Sequence, residues 1–130
     1  MNIQLKSTRV EELHLTFNAD IDEDSFSFGF TNGYSKNELD LFIVKFDVKI
    51  ESERGFELKL LYVAEFQVDS EITDDFKESY FPKVNAPAIA YPYLRSYVSL
   101  VTLNSGYEAL ILPTINFQAM SNNQDCEPDD

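Results

Sequence analysis

The sequence predicts an α+β domain: a four-stranded antiparallel sheet with one long helix and a short C-terminal helix. Three observations carry this. Apolar and polar residues alternate through the first half of the chain, the signature of strands with one buried face. The alternating runs are joined by short polar connections, which suit antiparallel pairing and are too short for parallel crossovers. Past Asn85 the alternation gives way to a nearly continuous apolar run that ends before Gly106, a helical length with a helical stop signal.

The strands follow in order. Leu13, Leu15 and Phe17 point one way and His14 and Thr16 the other, within a first strand over about 8–18. Asp20-Ile21-Asp22-Glu23-Asp24 is a charged loop. Phe26, Phe28 and Phe30 alternate with Ser25, Ser27 and Gly29 in a second strand over 25–31. A polar loop from Asn32-Gly33 reaches Glu38. The third strand, 39–52, puts Phe42, Val44, Phe46, Val48 and Ile50 on one face. The fourth, 56–69, does the same with Phe56, Leu58, Leu60, Tyr62, Ala64, Phe66 and Val68. Ser52-Glu53-Arg54-Gly55 joins these two as a hairpin, with Gly55 free to adopt a positive φ. Leu41, Ile43, Leu61 and Val63 interrupt the otherwise polar face of the sheet. An apolar centre on an outer face calls for a second subunit or a ligand to cover it.

Residues 69–85 form an acidic connection containing Phe76, Tyr80 and Phe81, and a connection of this length often serves function. The long helix starts at Asn85-Ala86-Pro87, with Asn as cap and Pro in the first turn, and runs to about Leu103. It is apolar nearly all round, with Arg95 its only charge and Pro92 inside it. A sheet covers one side of such a helix; the other side predicts packing between subunits, through Tyr97, Val98 and Val101. Residues 107–117 are extended and apolar, and Pro113 excludes a central strand there. A short helix begins near Gln118-Ala119-Met120. Residues 1–120 form a single domain, and 121–130 are expected to be an acidic, disordered tail.

Composition excludes several classes. A net charge of −13 opposes binding to nucleic acid or to anionic membranes. It would attract basic proteins or cationic unfolded chains. The chain has eleven Phe and seven Tyr, more large apolar side chains than a small monomer easily hides. Cys126 is the only cysteine, so no intrachain disulfide forms. With no leader-like segment and no run of about 20 apolar residues, the expected location is the cytoplasm. His14 is the only histidine, so a His-based zinc site lacks its partners, and a serine triad could use only His14, with no Gly-x-Ser-x-Gly elbow beside it. Asp20, Asp22 and Asp24 lack the downstream glycine and glutamate of a calcium loop. No glycine-rich phosphate loop occurs. The expectation is a protein that is not an enzyme and needs no cofactor or metal.

The segment Asn85-Ala86-Pro87-Ala88-Ile89-Ala90-Tyr91-Pro92-Tyr93-Leu94-Arg95, then Gly106, then Leu112-Pro113-Thr114-Ile115-Asn116-Phe117, resembles the signature of the SecB protein-export chaperones. Its marks are the aromatic-Pro-Tyr-x-Arg helix start, the Gly-terminated helix and the Leu-Pro…Asn-Phe segment. The resemblance is strongest over the last third of the chain. It implies a homotetramer, a dimer of dimers with long helices between the dimers. It implies an ATP-independent holdase that takes unfolded polypeptides into hydrophobic grooves. By position the groove would use Phe76, Tyr80, Phe81, Tyr91, Tyr93, Leu112, Ile115 and Phe117. The family passes preproteins to the motor SecA, docking through carboxylates on the outer sheet. Here Glu12 takes one such place beside the apolar Leu41, Ile43, Leu61 and Val63, and strand four reads Leu60-Leu61-Tyr62. Some members instead guard an antitoxin. A non-chaperone oligomeric adaptor is the remaining alternative.

Overall fold

The computed structural model describes residues 2–126, with side chains described as far as residue 121. Four strands come first: β1 (Ile3–Phe17), β2 (Ser25–Tyr34), β3 (Leu41–Ser52) and β4 (Phe56–Val68). Helix α1 (Asp74–Glu78), a π-helical turn (Phe81–Asn85), the long helix α2 (Ala86–Asn104) and α3 (Phe117–Cys126) follow. The sheet order is β1-β4-β3-β2, with every pair antiparallel. The alternation therefore locates all four strands, and the long helix ends before Gly106 as expected; its start differs, because Asn85 is itself helical, makes no side-chain capping bond and continues the π-helical turn from Phe81.

The tight β3–β4 hairpin closes with Gly55 at φ 101° and its N–H donating to the Ser52 carbonyl at 3.0 Å. β4 is central and its inner face is sealed: Phe56, Leu58, Leu60, Ala64 and Phe66 are essentially inaccessible. α2 lies on that face. Ala86, Ala90, Leu94, Val98 and Thr102 recur every four residues and are buried, the spacing of one helix face.

β1 is longer than the alternation predicts because its pattern changes phase twice. Its register slips between Leu5 and Ser7 and between Val10 and Glu12, so Lys6 and Glu11 are extra residues against β4. Each bulge shifts the parity. Leu5, Val10 and Leu13 thus all pair with inner-face residues of β4, although their sequence spacing is not a single period of two. Glu11 is used at its bulge. It accepts from Lys45 Nζ at 2.9 Å, reaching from β1 across β4 to β3. Val63, the β4 residue opposite both Arg9 and Lys45, is fully buried beneath this pair although it belongs to the outer face.

The connection 69–85 is more structured than its acidic composition implies. Thr73 caps α1, its Oγ1 accepting from the Phe76 N–H at 3.1 Å, and Phe76 is buried. Pro82 and Val84 anchor the π turn. Pro92 sits well inside α2 on the exposed side, so the carbonyl it leaves without a helical donor lies toward solvent. Gly33 belongs to β2, not to a loop. A side chain there would collide with Ile43 Cγ1 at 2.8 Å; Ile43 fills the space the glycine leaves. α3 runs through residues 121–126, the first part of the segment read as a tail; residues 127–130 lie outside the described residues.

Candidate functional site

Residues 107–116 cross the open end of the sheet–helix sandwich with no regular secondary structure. We call this segment the strap. Its conformation is set by side chains of α2. Gly106, at φ 94°, ends the helix, and the Tyr107 N–H returns to the Thr102 carbonyl at 3.1 Å. The buried Thr102 hydroxyl accepts from the Leu110 N–H at 2.9 Å and donates toward the Val98 and Ser99 carbonyls. Ser99 Oγ donates to the Leu110 carbonyl at 2.7 Å. Tyr91 Oη donates to the Pro113 carbonyl at 2.5 Å. From the β3–β4 hairpin, Arg54 donates to the Glu108 carbonyl and lies 3.5 Å from its carboxylate. A segment without a ladder thus has its polar backbone partly satisfied by four side-chain hydrogen bonds.

Between the strap and the β2–β3 end of the sheet lies a groove of about 210 Å³. Phe26, Ile50 and Leu110 to Pro113 supply its apolar surface, and Asp24 and Glu51 stand at its rim. Leu112 is buried in its wall, whereas Phe26 and Ile111 are exposed, Ile111 by 72%. From Phe26 an aromatic row leads inward. Its ring is 6.1 Å from Phe28, which meets Tyr91 at 5.6 Å and Phe117 at 6.1 Å. Phe30 closes on Phe117 at 5.7 Å. The groove is therefore the accessible end of an aromatic cluster that joins β2, α2 and α3.

The eight residues expected to line a groove separate into three groups. Tyr91, Leu112 and Phe117 meet around this cluster and are buried, with Ile115 half-buried against the same core. Burial raises the pKa of the Tyr91 phenol, with Arg95 opposing it. Phe76 and Phe81 stack at 5.7 Å at the other end of the sheet, Phe76 also meeting Phe42 at 5.5 Å. Tyr80 and Tyr93 are about half exposed and line neither cluster. Sequence reasoning missed Phe26, Ile50 and Ile111. The Phe-x-Phe-x-Phe run of β2 was the available signal.

Of the expected outer-face residues, Leu41, Ile43, Leu61 and Glu12 are half-buried and Val63 is buried. On α2, Val98 lies in the core, and Tyr97 and Val101 pack half-buried against it. The helix face turned from the sheet exposes Ile89, Tyr93, Leu100 and Leu103. Edge strand β1 adds exposed Val10, Leu13 and Phe17 from the inner side. No helix among the described residues is long and apolar enough to cross a membrane, and no three metal-ligating side chains among them cluster.

A single antiparallel sheet backed by a long helix, with a short helix and an apolar groove under a strap, has the build of a SecB-like chaperone. The chain belongs to the SecB family: the family model described as preprotein translocase subunit SecB matches residues 27–127. In structure it is similar to the SecB-like chaperone Rv1957 of Mycobacterium tuberculosis in complex with a ChAD peptide from the HigA1 antitoxin. The TM-score is 0.69 at 15% identity, over 88% of each chain. It is also similar to a Streptococcus agalactiae protein of unknown function, with TM-score 0.56 at 10% identity over 88% of this chain and 98% of that one. In sequence it is 30% identical to an uncharacterized protein of Methanocaldococcus jannaschii over 95 residues, 69% of this chain. The chain spans 60% of that relative's length.

Proposed function

We propose that this protein is an ATP-independent holdase that binds nonnative polypeptides in the groove between β2 and the strap. The observation that carries this is the exposure of Phe26 and Ile111 at the end of an aromatic cluster whose Tyr91 and Phe117 are buried. Apolar side chains of a client displace water there without needing a defined sequence. The tyrosines exposed at 80 and 93 extend the apolar surface for a longer client. The cytoplasm is the compartment this reading requires, and transfer of preproteins to SecA is its export form.

An oligomer, by family a homotetramer, is part of the same proposal. Ile89, Leu100 and Leu103 on α2 and Val10, Leu13 and Phe17 on β1 are costly to leave in water, at about 1.5–3 kcal/mol for each fully buried large side chain. A second reading, a dedicated antitoxin chaperone, is favoured by the antitoxin peptide held by the structural neighbour.

The test is suppression of aggregation of several unrelated unfolded proteins, together with binding of reduced, carboxymethylated α-lactalbumin. Ile111→Asp and Phe26→Ser are expected to weaken that binding about tenfold or more, since each such loss is only about 1.4 kcal/mol. Ile111 is 72% exposed, so its substitution should leave thermal stability nearly unchanged, whereas Phe26 stacks on Phe28 and its loss should lower the midpoint somewhat. Binding to one antitoxin alone would select the second reading. A protein that holds no unfolded chain would overturn both.

A further inference from the structure

The outer face of the sheet carries its charge in bands that run across the strands. Along β4, Glu57 lies opposite Glu51 of β3, and two residues on, Lys59 lies opposite Lys49. Leu61 then sits between Asp47 of β3 and Glu12 of β1, and Val63 between Lys45 and Arg9. Glu65 follows, beside Ser7 and Ile43. The sign alternates negative, positive, negative, positive, negative, with a step of about 6.7 Å, two residues of strand; Glu11, in the β1 bulge, bonds Lys45 and Arg9 and leaves the fourth band one net positive charge.

This order is unfavourable within one molecule. Like charges directly opposite each other weaken a sheet, whereas opposite charges there strengthen it. Exchanging the side chains at 57 and 59 would pair opposite charges across the strands without changing net charge, so solubility does not require the banding. The close ion pairs on this face are Lys45 and Arg9 with Glu11, and His14 hydrogen-bonds Glu12 at 2.8 Å. Lys49, Lys59, Asp47, Glu51 and Glu57 have no ion pair within 4 Å among the described residues.

We infer that this face is a self-association surface whose occupant is the outer face of a second copy. An alternating pattern is its own complement under one particular two-fold axis. That axis lies between the two sheets, parallel to the bands, and passes between the Lys49/Lys59 band and the Asp47/Glu12 band. It lays each positive band on a negative band of the copy, strand over like strand, as an isologous contact between two copies. Lys49 meets Asp47 of the copy, and Lys45 meets Glu51. An axis along the strands would set like on like. Stacked sheets lie about 10 Å apart, room for one layer of paired charges above Leu61 and the roofed Val63. The net charge of −13 repels two copies at a distance. Salt screens that repulsion beyond about 8 Å at physiological strength, while the bands act at contact.

Isotope-mixed wild-type protein, treated with a zero-length carbodiimide, tests the arrangement in the full chain. Cross-links between labelled and unlabelled copies are expected at Lys49–Asp47 and Lys45–Glu51. Sedimentation at physiological ionic strength supplies the second arm. Lys49→Glu/Lys59→Glu and Glu12→Lys/Asp47→Lys each make the two central bands one sign. Each is expected to lower the average mass and weaken self-association about tenfold or more, and an equimolar mixture to recover it. The inference is overturned if the wild type gives no mixed cross-link at these pairs, or if both variants sediment like the wild type. Phe26 and Ile111 are untouched in these variants, so client binding measured on them scores the groove separately.

Discussion

At the scale of single residues, Thr102 holds the strap in place. Its hydroxyl serves a helix and a strap at once, and it is fully buried. Thr102→Val keeps the shape and strands the Leu110 N–H, so it should cost about 1–3 kcal/mol in urea denaturation. Glu11 is a different case, since its role is electrostatic. The hydrogen bond from Lys45 holds its carboxyl below the usual 4.5. A lowered carboxylate stabilises the fold above its unfolded pKa and loses that contribution as pH falls through the folded one. Lys45→Met should therefore flatten the acid side of the stability–pH curve below about pH 4.5. At the alkaline end the sign reverses. Burial raises Tyr34, Tyr91 and Tyr97 above 10. Their contribution is intact below pH 10 and lost as pH rises through the folded values, so unfolding midpoints should fall there in step with tyrosinate absorbance.

At the scale of elements, what was legible in the sequence was whatever one local period could encode. β3 and β4 alternate cleanly because each has one face on the core, and α2 announces itself by Pro87 and Gly106, whereas Asn85 is helical and caps nothing. The first half of β1 was not legible, because two bulges break the period while preserving the burial. α1 was hidden because five residues carry little helical signal; burial of Phe76 and the Thr73 cap hold it. The groove was the least legible feature. Leu112 and Ile111 are adjacent and alike in chemistry, yet one is 2% and the other 72% exposed. That difference depends on where Thr102, Ser99 and Tyr91 pin the strap, which are tertiary bonds with no sequence period. β2 offers a test at this scale. Gly33→Val sets a branched side chain against Ile43, and overpacking of this kind typically costs about 1–3 kcal/mol, readable as a lowered thermal midpoint.

At the scale of the whole molecule, the balance of apolar surface governs assembly. The sequence showed a helix that one sheet could not cover, but not which stripe would be left. The sheet takes Ala90, Leu94 and Val98, and the opposite side keeps Leu100 and Leu103. Leu100→Glu/Leu103→Glu should shift native mass spectra toward smaller species. The subunit fold should survive, because both residues are more than half exposed. A wild type that is monomeric at all concentrations would contradict the oligomer.

The bulges of β1 also determine where the gene can lose a codon. Lys6 is the surplus residue between Leu5, paired with Phe66, and Ser7, paired with Glu65. An in-frame deletion of Lys6 simply straightens the ladder, with every partner on both sides retained. Deleting His14 instead leaves only the Glu11 bulge to absorb the slip, which puts Leu13 on the outer face opposite Lys59 and Glu12 on the inner face opposite Leu60. Two deletions of equal size in one strand should thus give opposite phenotypes: soluble protein from the first, and misfolded or degraded protein from the second.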